Sequence, residues 1–255
     1  MLKAASASGA TLICTPEVTN CVSQSRTRQH IVLSAEQDDL TVVMARDMAR
    51  EMKVWISIGS VAVKTRDPDG RFANRSILID PAGAITARYD KIHMFDVTVS
   101  EQEAYRESAG YRPGKTAVMS RMGDVRIGLA ICYDLRFPHL FRMLAQAGAD
   151  ILLVPSAFSP TTGKAHWEPL LRARAIETGC FIVAAAQTGL HSATEGAARR
   201  THGHSLVVSP WGDVLLDAGT DQGVHVVDLD LSEVAEARRR IPALLHDREI
   251  EGPNG

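Results

Sequence analysis

Cys132 closes an apolar run, Val125 to Ile131, and the chain then turns through Tyr133-Asp134-Leu135-Arg136-Phe137 to Pro138. The run has the length and branched side chains of a buried strand, and Pro138 suits the first turn of a helix. A thiol at such a junction stands at a sheet's edge, beside backbone N–H groups able to hold a developing oxyanion. A cysteine met alone is more often an inert core residue. Two companions change that reading. Thr11 to Thr15 forms a short strand-like segment that delivers Glu17 just after Pro16. Asn74 to Asp80 and Ala84 to Tyr89 read as two strands about a Pro81-Ala82-Gly83 turn, and Lys91 follows at once. Thiol, carboxylate and ammonium together supply a nucleophile, a proton acceptor and a fixed positive charge. His139 lies close to Cys132 in sequence but begins a helix, so a His-paired thiol is the weaker arrangement.

Three segments, Pro16-Glu17, Tyr89-Asp90-Lys91-Ile92-His93 and Ala130-Ile131-Cys132-Tyr133-Asp134-Leu135-Arg136-Phe137-Pro138, resemble the nitrilase superfamily of carbon–nitrogen hydrolases in type, order and separation. The likeness continues through Pro155-Ser156-Ala157-Phe158, Thr162 to Glu168, Leu171 to Glu177, Ala184 to Gly189, Gly203-His204-Ser205 and Pro210-Trp211-Gly212, which look like the amidase branch. Glu107 matches the second glutamate that members place beside the catalytic three.

The resemblance implies a four-layer α-β-β-α sandwich over a single domain, residues 1–255, and a homodimer with stacked helical layers. It implies hydrolysis of a small 2-oxo acid amide through a Cys132 thioester, with Glu17 as base and no metal or organic cofactor. Lys91 and the backbone N–H of Tyr133 would hold the oxyanion, and Glu107 would hold Lys91 or the substrate. Two carboxylates beside one ammonium would push a carboxyl pKa upward, toward a base that works near neutral pH. Phe158, His166 and Trp167 are the candidate substrate-binding residues. Ser156 and the Gln187-Thr188-Gly189 segment resemble the amidases of deaminated glutathione more than the omega-amidases of 2-oxoglutaramate and 2-oxosuccinamate. A nitrilase, or a catalytically silent interaction module on the same fold, is the remaining alternative. Related amidases begin with a strand and the front of a helix, whereas Met1 to Gly9 reads as a helix tail. The expectation is therefore a chain short of its first strand and part of its first helix.

The positioning elements read as α/β. Asp38 to Met52 carries Leu40, Val43, Met44, Met48 and Met52 at helical spacing, which predicts a packed face. Val54 to Val63, Ala149 to Val154, Phe181 to Ala186 and Ser205 to Val208 read as buried strands. Leu140, Phe141, Leu144 and Ala145 predict one face of a helix ending at Gly148. A helix over His166 to Gly179 follows from its composition. Gly223 to Leu231 alternates like a half-buried strand, and Ser232 reads as the cap of a charged helix. Its Arg238-Arg239-Arg240 end reads as solvated. Periodicity alone does not separate a sandwich from a doubly wound sheet.

Composition narrows the function further. The 255 residues carry 28 Lys and Arg against 30 Asp and Glu, a formal charge of −2, which gives no reason to expect nucleic acid or a membrane surface as partner. No apolar stretch is long enough to span a bilayer and no signal-peptide pattern opens the chain, so a cytoplasmic location is the expectation. Four cysteines, Cys14, Cys21, Cys132 and Cys180, without CxxC spacing argue against a disulfide framework or zinc site. His202 and His204 lack a third placed ligand, and hydrogen bonding is their expected role.

Overall fold

A computed structural model describes residues 1–101, 103–192 and 198–253. In chain order its elements are α1 (Leu2–Ala7), β1 (Leu12–Cys14), α2 (Arg26–Val32), α3 (Leu40–Met52), β2 (Trp55–Lys64), β3 (Phe72–Ile79) and β4 (Ile85–Asp90). The hairpin β5 (Asp96–Thr98) and β6 (Ala104–Arg106) follows, then β7 (Val118–Met122), β8 (Val125–Leu129), α4 (Pro138–Gln146), β9 (Ile151–Leu153) and α5 (Pro160–Thr178). The last elements are β10 (Phe181–Ala184), β11 (Thr188–His191), β12 (Arg199–His202), β13 (Leu206–Val208), β14 (Val214–Asp217) and α6 (Ser232–Arg240).

Two sheets carry the fold, one ordered β1-β2-β3-β4 and the other β14-β13-β10-β9-β8-β7. Neighbours β8, β9 and β10 run parallel, as strands joined by helical crossovers must. Period-two alternation shows how the layers stack. Ile77 and Ile79 of β3 pack with Val42, Ala45 and Ala49 of α3 and Ala5 of α1. Leu78, between them, packs the other way, with Ala87 and Tyr89, into the core that holds Ile127 and Leu129 of β8 and Leu152 of β9. Leu140, Phe141, Leu144 and Ala145 of α4 and Trp167, Leu171 and Ala175 of α5 cover the far side. The order is therefore helix, sheet, sheet, helix.

Several elements differ from the expectations above. Helix α3 turns its narrow Val42, Ala45 and Ala49 stripe to the sheet, with Met48 and Met52 packed beside it as expected, but leaves Leu40 75% and Met44 60% exposed. Residues 223–231 alternate in type but form no strand, and among the described residues no strand pairs with them. Ser232 is the first residue of α6 and not its cap, and its N–H donates to the Asp230 carboxylate at 3.0 Å. Arg238 is not a solvated helix end. It donates to the Thr178 and Ala149 carbonyls at 3.2 and 2.6 Å and ties α6 to the end of α5. Helix α5 starts at Pro160, earlier than expected, capped by the Ser159 hydroxyl, which accepts from the Thr162 N–H. Gly179 ends it in the left-handed region.

Candidate active site

The site forms where the two sheets meet. The first sheet delivers Glu17 and Lys91, and the second delivers Cys132. Strand β1 ends two residues before Pro16, and Gly59 of β2 permits the close approach there. A Cβ at Gly59 would lie 1.8 Å from the Thr15 carbonyl oxygen and 2.5 Å from Pro155. Glu17 is thereby buried, 4% exposed. Its Oε2 accepts the Ala157 N–H at 2.8 Å, and its Oε1 accepts from Asn74 Nδ2 at 2.9 Å and Lys91 Nζ at 3.2 Å. Gln187 Nε2 donates to the Glu17 backbone carbonyl at 2.9 Å.

Lys91 leaves β4 with its N–H on the Asn74 carbonyl at 2.9 Å. Its Nζ also donates to both oxygens of Glu107, at 2.9 and 2.8 Å. Glu107 is held in turn by the Phe95 N–H at 2.6 Å. Cys132 follows the end of β8, its N–H on the Pro155 carbonyl at 3.0 Å. Its φ of +50° lies in the left-handed region, which a non-glycine residue adopts only when its surroundings impose it. Buried Asp134 ties down the turn on either side of it. Asp134 accepts from Tyr89 Oη at 2.6 Å, the His93 N–H at 3.0 Å and the Ile131 N–H at 2.9 Å. The Tyr133 N–H precedes the first bond of that turn, Asp134 N to Ile131 O at 3.0 Å, and so has no acceptor within it.

A cavity of about 310 Å³ opens on this cluster, lined by Glu17, Lys91, Glu107, Cys132, Tyr133 and Phe158 among others. Cys21, Asn74, Arg26 and Arg199 also line it. Trp167 and His166 do not. Trp167 stands behind Phe158, ring centroids 4.8 Å apart, with its Nε1 donating to the His204 carbonyl at 2.7 Å. His166 lies on the exposed face of α5, 3.2 Å from Arg136 Nη2. His202 and His204 stack on each other, and His204 Nδ1 pairs with Asp217 at 2.9 Å. Among the described residues no group of three His, Cys, Asp or Glu is placed to hold a metal ion.

Asn74 and Asp134 escape a reading of the sequence, because each sits inside a segment noticed for other residues. A signal was present for Asn74, an amide inside a strand that continues into the apolar Ile77-Leu78-Ile79, where a buried polar group needs a partner.

Burial raises the Cys132 thiol, and the Glu17 carboxylate raises it further, against the lowering pull of Lys91. The resting sulfur is therefore a thiol hydrogen-bonded to Glu17. Burial also raises Glu17, but Lys91, Arg199, Cys132 and Asn74 outweigh it and hold the carboxyl below its ordinary value. This reverses the upward shift expected from two neighbouring carboxylates. Each carboxylate has its own donors, so repulsion between them does not dominate. Burial lowers Lys91, yet Glu107 and Glu17 more than restore it, and its pKa is raised well above the usual range. The cluster rests as neutral thiol, carboxylate and ammonium.

The carbon–nitrogen hydrolase family model matches residues 1–239. The chain belongs to the carbon–nitrogen hydrolase family. A deaminated glutathione amidase from Yersinia enterocolitica is 41% identical to this hydrolase over 246 residues, 95% of this chain and 84% of that protein. The mouse protein of the same name is 38% identical over 245 residues, 94% and 74% of the two chains. The Caenorhabditis elegans NitFhit protein is similar in structure, with a TM-score of 0.84 and 34% identity. That likeness covers 97% of this hydrolase and 59% of NitFhit. An amidase from Nesterenkonia sp. AN1, with acrylamide added at its active-site cysteine, has a TM-score of 0.73 and 27% identity, covering 94% and 88% of the two chains.

Proposed function

We propose that this hydrolase is an amidase that cleaves the amide of a small 2-oxo acid through a thioester on Cys132, with deaminated glutathione as its substrate. The observation that carries this reading is the meeting of Cys132, Glu17 and Lys91 in one cavity. The 41% identity to an amidase of that substrate supports the choice of amide.

Amide carbonyls are poor electrophiles, and a covalent route divides one hard step into two easier ones. As the Cys132 sulfur bonds to the carbonyl carbon, its proton passes to Glu17, the adjacent ionised base. The carbonyl oxygen gains the negative charge, and Lys91 Nζ and the Tyr133 N–H stabilise it. Collapse expels the amine, which takes the proton from Glu17 and leaves the acyl group on sulfur. Water then attacks the thioester, giving a proton to Glu17; collapse expels the Cys132 sulfur, which takes that proton back, so acid and thiol are released and Glu17 is again ionised. Glu107 holds the Lys91 ammonium in place. Asn74 and the Ala157 N–H hold Glu17, and Phe158 forms an apolar wall.

An activity screen over deaminated glutathione, 2-oxoglutaramate, simple amides and nitriles tests the reading. Highest kcat/KM on deaminated glutathione is expected. Preference for 2-oxoglutaramate would move the enzyme to the omega-amidases, and turnover of nitriles alone would overturn the amide assignment.

The same reading includes a homodimer through the α4, α5 and α6 layer. Apolar side chains there are exposed: Met143 of α4 and Ile176 of α5 are each 56% exposed, and Leu245, in the turn after α6, is 80% exposed. No described helix is long and apolar enough to cross a membrane.

A further inference from the structure

The cavity carries more positive charge than the proposed chemistry uses. Lys91 is held between Glu17 and Glu107, yet Arg26, Arg106 and Arg199 line the wall as well. Arg106 is occupied within its own hairpin, donating to the Val97 and Tyr105 carbonyls and to Thr98 Oγ1. The other two are different. Among the described residues, the hydrogen bonds of Arg26 and Arg199 go to neutral partners, and neither pairs with a carboxylate.

Arg26 is also firmly seated. Its Nη1 donates to Gln29 Oε1 at 3.0 Å, and buried Gln29 is fixed by donating to the Ser23 carbonyl at 2.8 Å and Tyr111 Oη at 3.1 Å. The guanidinium lies 5.4 Å from the Tyr111 ring centroid. It also lies against Gly110, where a Cβ would fall 1.3 Å from its central carbon. Gly110 thus leaves a cradle that any other side chain would fill. Arg199 Nη2 donates at 2.7 Å to the carbonyl of Ala157, the residue whose N–H holds Glu17. A guanidinium has five N–H donors in a rigid fork that fits a carboxylate, and among the described residues no carboxylate occupies that fork on Arg26 or Arg199.

We infer that Arg26, with Arg199 as a second cation lining the same cavity, determines specificity by binding a carboxylate of the substrate. The inference rests on the amidase reading above. A 2-oxo acid amide carries a carboxylate on its acyl half, and deaminated glutathione carries another on the dipeptide that leaves. The shared chemistry is a carboxylate ion. Uncharged amides of the same size lack the group that this part of the wall recognises.

Calorimetric titration of the Cys132→Ala protein with 2-oxoglutarate and, separately, with cysteinylglycine tests the inference without turnover and distinguishes the two ends. Adding Arg26→Gln is expected to weaken binding of one of them at least tenfold, and Arg26→Lys to recover part of the loss. In the active enzyme, Arg26→Gln is expected to lower kcat/KM for the charged amide at least tenfold relative to an analogue with that carboxylate amidated, mainly through KM. Binding of both ligands by the Cys132→Ala protein that is unchanged when Arg26→Gln is added, including no binding in either case, overturns the inference. So does an equal loss on charged and uncharged amides. Arg26-dependent binding in an enzyme that turns over no amide would support the carboxylate site and count against the amidase reading instead.

Discussion

At the residue scale, the resting charges of the site set its response to substitution and pH. Removing the Cys132 sulfur leaves nothing to carry the acyl group, so Cys132→Ala and Cys132→Ser are expected to abolish turnover while circular dichroism shows an intact fold. Lys91 is a compact ammonium between Glu17 and Glu107, and a planar guanidinium cannot occupy its place. Lys91→Arg should therefore lower kcat nearly as far as Lys91→Ala, each by at least about a hundredfold, as for the loss of an oxyanion donor. Retention of most turnover by Lys91→Arg would make Lys91 a general electrostatic contributor. Glu17 must be ionised to accept the thiol proton, and its pKa lies below the ordinary carboxylate value. It remains ionised until the pH falls through that lowered pKa, so kcat/KM should show no acid limb from Glu17 between about pH 6 and 8. A carboxylate-like limb in that interval, lost in Glu17→Gln assayed with an activated ester, would contradict this assignment. Glu17, Lys91, Glu107 and Cys132 were legible because each stands in a short segment with recognisable neighbours. Asn74, Gln29 and Arg26 were not, since their meaning lies in partners distant in sequence, such as Glu17 for Asn74 and Tyr111 for Gln29.

At the element scale, the site depends on how closely β1 and β2 approach the turn after β9. Gly59→Ala would set a methyl group against the Thr15 carbonyl and Pro155, both backbone-anchored and unable to swing aside. It should destabilise the protein by about 1–3 kcal/mol, as overpacking does, and lower activity by displacing Glu17. Urea unfolding monitored by fluorescence, alongside the amidase assay, checks both effects, and unchanged stability would show that the backbone relaxes there. Most elements were legible where apolar runs are buried on both faces, as in β2, β9 and β10. The alternation over residues 223–231 misled because it records side-chain type and says nothing about a hydrogen-bonding partner. In α3, Met48 and Met52 pack against the core as expected, but Leu40, Val43 and Met44 misled, since the sheet takes the small Val42, Ala45 and Ala49 stripe.

At the scale of the whole molecule, the sandwich brings together residues from both sheets. Period-two strands alone did not reveal that the sheets lie face to face, and the family resemblance supplied that part. The outward apolar side chains of the second helical layer bear on assembly. Sedimentation velocity should give the mass of two chains, and Ile176→Glu should shift it toward one, because a charge placed in an apolar interface is costly to desolvate. A wild-type protein that sediments as one chain at micromolar concentration would remove the dimer from the account. The whole mechanism turns on the thioester, and intact-mass spectrometry of enzyme quenched in acid during turnover of deaminated glutathione detects it. An added mass equal to the 2-oxoglutaryl group is expected, mapping to Cys132 and absent from Cys132→Ala. Turnover by the wild-type enzyme with no such adduct at any quench time, or an adduct on another residue, would contradict it.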